Sequence, residues 1–133
     1  MNQYAIIYLD NNPVSIERIR SELAPLASVF DIYTAKNIED AHHALEDIHD
    51  HHQAIALVIT QHHSGFNGVQ FLIELEQLPH SYTARTILVS ASSDIQSILT
   101  AVNEGRLNHC LTQPVQDEVL FKSVQKELTS FVI

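Results

Sequence analysis

The sequence predicts an α/β fold in which helices cover both faces of a five-stranded parallel sheet. Short apolar runs alternate with amphipathic stretches five times along the 133 residues. This alternation is typical of strand–helix–strand units, which build a doubly wound, three-layer sandwich of the (βα)5 type. The length suits one hydrophobic core, so we expect a single domain over residues 1–133.

Five apolar runs are the predicted strands. The third run, AIALVIT, is the most completely apolar. We place it at the centre of the sheet, because a strand that is covered on both faces has no polar alternation. The predicted strands are 4–9, 28–34, 54–60, 86–90 and 110–112.

Apolar residues at helical spacing separate the strands. Asn37 is placed to cap the second helix and Asp117 the last one, while Gly105 ends the fourth. The apolar positions that recur at intervals of three and four are Ile16, Ile19, Leu23 and Leu26; Ile38, Ala41, Leu45 and Ile48; Val69, Leu72, Ile73 and Leu75; Ile95, Ile98, Leu99 and Val102; and Leu120, Val124 and Leu128.

Polar residues follow the predicted strands at their carboxyl ends. In open parallel sheets this edge forms the functional crevice. We therefore expect these residues to surround one pocket: Asp10, Asn11, Thr60, Ser90 and Gln113.

These strand ends resemble the receiver domain of bacterial two-component response regulators. Leu9-Asp10-Asn11-Asn12-Pro13 matches the family's acidic pair and loop, and Ser90-Ala91 matches its hydroxyl residue followed by Ala. Thr60 lies eight residues before Gly68, which is the family's spacing from the phosphoacceptor Asp to the glycine of the third helix. Gln113-Pro114 matches its Lys-Pro pair, whose peptide bond is usually cis.

The resemblance extends over essentially the whole chain. It implies a flavodoxin-like fold, a part in phosphorelay signal transduction, and a sensor kinase or a fused output domain as partner. The presence of the fold does not by itself establish the chemistry, because relatives of one fold carry many outputs.

The phosphorylation chemistry of the family is missing from the matched positions. Asn11, Thr60 and Gln113 stand where the family has an acid, the acceptor Asp and the Lys, while Asp10 and Ser90 remain. Transfer from a phosphohistidine needs a carboxylate nucleophile and a magnesium ion held by carboxylates. Residues 51–73 contain no Asp or Glu, so no register of the match supplies the nucleophile.

We therefore predict a degenerate receiver that is not an enzyme and needs no cofactor. Magnesium binding in the old pocket is expected to be weak or absent, because one carboxylate is a poor magnesium site. The predicted role is a phosphorylation-independent protein-interaction or dimerisation module. An alternative is a receiver that is phosphorylated at a non-standard position.

A second alternative, a metal- or ligand-binding sensory domain, comes from the nine histidines. His43, Asp47 and His51 recur at intervals of four, so they share one helix face and have a spacing that suits a transition metal. A solvated His-rich face is the simpler interpretation. His62 and His63 lie beside the predicted pocket, where a proton sensor is conceivable.

The last helix carries a second apolar pattern, in which Phe121, Val124, Leu128 and Phe131 follow a three-four-three spacing. This spacing occurs at coiled-coil seams, so we predict self-association through the last helix, with Phe121 and Phe131 the least buried in a monomer. A core helix with an apolar end explains the same pattern.

The charge balance bears on partners and location. Seven Lys and Arg face sixteen Asp and Glu, a formal net charge of −9, which repels nucleic acid backbones. No apolar run is long enough to span a bilayer. The single cysteine, Cys110, fits a reducing compartment and is expected to be a small buried side chain. We therefore expect a cytoplasmic protein with protein partners and no direct contact with nucleic acid or membrane.

Overall fold

The computed structural model describes residues 1–78, 84–91 and 94–132 of the chain. Strands and helices alternate along it, and a 3-10 turn, Ala24–Leu26, follows the first helix. The strands are β1 (Tyr4–Leu9), β2 (Phe30–Ala35), β3 (Ala54–His62), β4 (Arg85–Ser90) and β5 (His109–Thr112). The helices are α1 (Pro13–Leu23), α2 (Ile38–Asp50), α3 (Gly68–Glu76), α4 (Ile95–Glu104) and α5 (Asp117–Val132).

The five strands form one parallel sheet in the order β2-β1-β3-β4-β5, which confirms the predicted fold class. One core lies between the sheet and helices α2, α3 and α4. The other lies between the sheet and helices α1 and α5. None of the helices in the described part of the chain is long and apolar enough to cross a membrane.

Local sequence signals explain where several helices begin. Asn37 caps α2 as predicted, because its side-chain oxygen accepts a hydrogen bond from the Asp40 amide at 2.7 Å. Asn12 caps α1 in the same way, and Pro13 occupies the first helical position, where no amide hydrogen is needed. Asp117, predicted as a cap, is the first residue of α5 itself.

Strand β3 continues two residues beyond the predicted end. The prediction ended the strand at the last residue of the apolar run, but Gln61 and His62 continue the ladder and pair with Val89 and Ser90 of β4. This extension determines which side chains face the candidate site.

Candidate functional site

A row of hydrogen bonds joins residues at the carboxyl ends of β1, β3 and β5. Gln113, just after β5, donates from Nε2 to Oε1 of Gln61 at 2.6 Å. Gln61 donates from Nε2 to the hydroxyl of Tyr8 at 3.2 Å, and Tyr8 donates to Oδ2 of Asp10 at 2.9 Å. Two neutral amides and a phenol therefore connect the end of β5 to the one carboxylate of the row.

Backbone contacts fix the position of Gln113. Its amide donates to the carbonyl of Ser90 at 2.9 Å, and its peptide bond with Pro114 is cis, as the resemblance implies. The side chain is thereby held beside β3.

Tyr8 is a neutral donor in this row. Its ring is buried, and burial together with the negative charge of Asp10 raises the pKa of the phenol above its ordinary value. The hydroxyl consequently keeps its proton at physiological pH and donates a hydrogen bond to the Asp10 carboxylate.

Both carboxylate oxygens of Asp10 already have protein donors. Oδ2 accepts from Tyr8, and Oδ1 accepts from the Asn12 amide at 3.1 Å. The residue is only 3% exposed. A cation here would have to displace these donors and would find no second carboxylate in the row.

We therefore expect Mg²⁺ to have little effect on thermal stability. A ligand that binds the folded state stabilises it in proportion to ln(1 + [L]/Kd), so a millimolar cation that does not bind shifts Tm by less than about 1 °C. Differential scanning fluorimetry with MgCl₂, against NaCl of equal ionic strength, measures this. Saturable stabilisation by magnesium that disappears in Asp10→Asn would show that the site holds the cation.

Thr60 lies on the opposite face of β3 from Gln61, because successive side chains of a strand alternate between faces. It is fully buried, and its hydroxyl donates to the Gln61 carbonyl at 3.0 Å. A Cβ built on Gly68 would lie 2.3 Å from the Thr60 oxygen, so α3 approaches this side chain closely. The structure therefore brings Gln61, one residue after the predicted acceptor position, into contact with Gln113.

The remaining predicted site residues have local partners. Asn11 donates from Nδ2 to the carbonyl of Gly65 at 3.3 Å and lies at the surface. Ser90 is buried and donates to the carbonyl of Ala91 at 3.4 Å. Neither side chain has a recorded hydrogen bond to the row from Gln113 to Asp10.

Sequence analysis missed three residues of this region: Gln61, Tyr8 and Asp94. Asp94 caps α4 through the Ser97 amide, and its Oδ2 lies 3.3 Å from Nε2 of the buried His62. The sequence signal for Gln61 was a polar residue directly after the longest apolar run. The sequence gives no sign that His62 and Asp94 lie close together, because His62 ends β3 whereas Asp94 caps α4.

The predicted metal candidates of α2 and Cys110 are not arranged as a binding site in the described part of the chain. Within residues 1–78, 84–91 and 94–132, no three His, Cys, Asp or Glu side chains are placed to hold a metal ion, so His43, Asp47 and His51 do not form one. Cys110 is exposed, contrary to the expectation of a buried side chain, because it lies on the short edge strand β5. Partial desolvation raises its pKa, which disfavours the reactive thiolate.

The apolar face that the sequence predicted on α5 is found on α4, although α5 exposes Val119 and Val132. Phe121 and Phe131 were predicted to be the least buried, but both pack against the core, and Phe131 contacts the Tyr4 ring edge-on at a centroid distance of 5.7 Å. By contrast, Ile95, Leu99 and Val102 of α4 are 63%, 49% and 55% exposed. We call these three residues the α4 stripe, since their spacing of four and three places them on one face of the helix.

Several solved structures similar to this one are receiver domains. The receiver domain of an HD domain-containing protein from Pseudomonas fluorescens matches with a TM-score of 0.79 and 22% identity, over 99% of this chain and 91% of that one. A response regulator receiver domain protein from Methanospirillum hungatei matches at 0.77 and 14%, over 98% of both chains. The receiver domain of a histidine kinase from Syntrophus aciditrophicus matches at 0.75 and 20%, over 95% of this chain and 90% of that one.

No family model matches the sequence, and no curated protein sequence matches it. The structural likeness extends over nearly the whole chain. This chain therefore has the fold of the response regulator receiver domains.

Proposed function

We propose that this chain is a pseudo-receiver, a signalling module that binds a protein partner without aspartyl phosphorylation. The observation that carries the proposal is the contact between Gln61 and Gln113. In the family that the chain resembles, a carboxylate and a Lys occupy these strand ends and hold the phosphoryl group. Here two amides satisfy each other at 2.6 Å.

The hydrogen bond between the Gln61 and Gln113 amides supports a stable site that does not accept phosphate. An amide oxygen is a poor nucleophile, and phosphoryl transfer depends on positioning plus charge stabilisation by a metal and a Lys. The structure has no buried side-chain nitrogen or oxygen without a hydrogen-bond partner among the described residues. The neutral amides of Gln61 and Gln113 avoid the cost of burying an unpaired charge at these two positions, and both oxygens of the Asp10 carboxylate have hydrogen-bond donors.

The α4 stripe is the surface that we propose for the partner. Scattered exposed apolar side chains are ordinary, but three on one helix face form a contiguous patch. The edge strand β5 lies beside β4 with its outer edge unpaired in the described sheet, which gives a second chain access to this side of the fold. We assign the stripe to a second copy of this chain, which places self-association on α4 instead of the last helix, where the sequence predicted it.

Self-association should therefore be lost when the α4 stripe becomes charged. We expect the double variant Ile95→Glu, Leu99→Glu to sediment as a monomer, since an unpaired glutamate in an apolar contact is strongly unfavourable. Sedimentation velocity over a concentration series measures this, with and without acetyl phosphate and MgCl₂. Acetyl phosphate should leave the proportions of monomer and dimer in the wild type unchanged.

Val14→Glu is the matched control, because Val14 is 75% exposed on α1 and lies away from the stripe. It should associate like the wild type. Phe121→Glu, Phe131→Glu should lower thermal stability, because both rings pack in the core. A wild type that stays monomeric throughout, or a dimer that appears only with phosphodonor, would refute the proposal.

A further inference from the structure

A cavity of about 800 Å³ lies between α3 and α4, apart from the row of hydrogen bonds. Ser64 after β3 and Ala91 after β4 line it, and α4 contributes Ser97 and Thr100. Val69, Ile73 and Ala91 make part of the lining apolar. Its volume is in the range of natural small-ligand sites.

A histidine–carboxylate pair is built into the cavity wall. His62 is 8% exposed, and its ring Nδ1 accepts a hydrogen bond from the Val69 amide at 3.3 Å. The ring hydrogen therefore sits on Nε2, which faces Oδ2 of Asp94 at 3.3 Å. The other oxygen of Asp94 caps Ser97 at 3.2 Å.

The charge of this wall is negative at neutral pH. Hydrogen bonds from Ser97, aided by His62, lower the pKa of Asp94, so the carboxylate is ionised. Burial lowers the pKa of His62, only partly opposed by Asp94, and His63 lowers it further, so His62 is neutral. No Lys or Arg occurs among the described residues that line the cavity.

We propose that this cavity binds a ligand with a cationic amine or guanidinium group, paired to Asp94 and with its apolar stem on Val69 and Ile73. A carboxylate has about four lone-pair directions, and His62 and Ser97 use two of them. One-third of the Asp94 side chain remains exposed. Phosphates and carboxylates are disfavoured, because they would face the charge of Asp94 with no Lys or Arg among the described lining residues, in a chain with a net charge of −9.

The neighbouring polar groups suit such a ligand. The side chains of Gln70, Gln96 and Thr100 line the same cavity and provide oxygen acceptors for the remaining N–H groups of an ammonium ion or guanidinium. The proposal is independent of self-association, because the stripe and the cavity use different residues of α4.

Three probes of equal length show whether binding depends on the charge of the ligand or on its apolar chain: n-butylamine, n-butanol and butyrate. We expect n-butylamine to shift the backbone amide signals of Val69, Gln70 and Ser97 saturably in ¹⁵N-resolved spectra, with a dissociation constant of roughly millimolar order for so small a probe. The neutral alcohol should bind at least about tenfold more weakly, and butyrate not at all.

Asp94→Asn is the decisive variant, since Asn also caps helices well and should leave α4 intact. It should weaken n-butylamine at least about tenfold and leave n-butanol unchanged. Asp47→Asn, on the exposed surface of α2, should change neither. If Asp94→Asn disturbs the fold, Gln70→Lys serves instead: it places a competing cation in the cavity and should abolish n-butylamine binding.

The cation could belong to a free metabolite or to a Lys side chain of a partner protein. A blocked Gly-Lys-Gly peptide that binds more tightly than n-butylamine assigns the site to a protein side chain, and the reverse order assigns it to a small amine. The proposal is overturned if n-butylamine binds Asp94→Asn as tightly as wild type, if butyrate binds, or if the shifts spread over the acidic surface of α2.

Discussion

Thr60→Asp should destabilise the fold by about 3–5 kcal/mol, because it buries a carboxylate without a partner. Thr60 has no exposed surface and contacts the start of α3. Gln61→Asp, by contrast, places its carboxylate at the half-buried end of β3, within reach of residue 113. Combined with Asn11→Asp and Gln113→Lys, it should create a site that acetyl phosphate can phosphorylate.

All three substitutions are needed for that gain. In the single variant Gln61→Asp, the new carboxylate and Asp10 both lie next to the Tyr8 hydroxyl. Two like charges in a partly buried site repel each other, so one of the two carboxylates binds a proton. Asn11→Asp supplies a second magnesium ligand, and Gln113→Lys supplies the countercharge. Since preorganised charges of this kind change rates by roughly a hundredfold or more, the triple variant should far exceed Gln61→Asp alone.

The matched control is Thr60→Asp in the same double background of Asn11→Asp and Gln113→Lys. It should remain inert, because position 60 faces α3 and not residue 113. The measurements are the rate of hydroxylamine-sensitive phosphate incorporation and the denaturation midpoint of each variant. Equal phosphorylation of the two triple variants would show that Gln61 does not occupy the acceptor position.

Arg85→Ala should destabilise the chain by about 2–4 kcal/mol, because it leaves the charge of Glu127 without its partner. Glu127 lies on α5 and is 2% exposed. Its Oε1 accepts from Nε of Arg85 at 3.0 Å and lies 2.9 Å from a second guanidinium nitrogen. His109 lies 3.7 Å from the other oxygen and is too distant to replace the guanidinium. Urea denaturation measures the change.

Arg18→Ala is the control for this second prediction, since Arg18 and Asp117 form an ion pair at 2.7 Å whose side chains are 60% and 38% exposed. Such a surface pair contributes less than about 1 kcal/mol, so its removal should be nearly neutral. If the two arginine variants lose equal stability, burial of Glu127 is not what makes its ion pair important.

The periodicity of the sequence was sufficient to predict the architecture. Five apolar runs and the intervening helical spacings led to the parallel sheet, and Asn37 was correctly identified as a cap. These features depend on local patterns, which a sequence displays directly. The resemblance implied the flavodoxin-like fold, while the order of the strands is not visible in the periodicity.

The details of the site depended on features that the sequence does not display. A register shift between Ala5 and Ile6 alters how β1 pairs with β3, and β3 extends to His62. Counting eight residues back from Gly68 selected Thr60, whereas the contact with Gln113 belongs to Gln61. The sequence also does not show which apolar residues of a helix remain exposed after folding. The exposed apolar face was expected on α5 and is found on α4.

The most direct test of the pseudo-receiver proposal is intact-mass spectrometry of the wild-type chain after incubation with acetyl phosphate and magnesium. The Gln61–Gln113 amide contact and the engaged carboxylate of Asp10 predict no phosphoryl adduct. The triple variant Asn11→Asp, Gln61→Asp, Gln113→Lys serves as the positive control. A stoichiometric adduct on the wild type that hydroxylamine removes would be an acyl phosphate and would contradict the proposal.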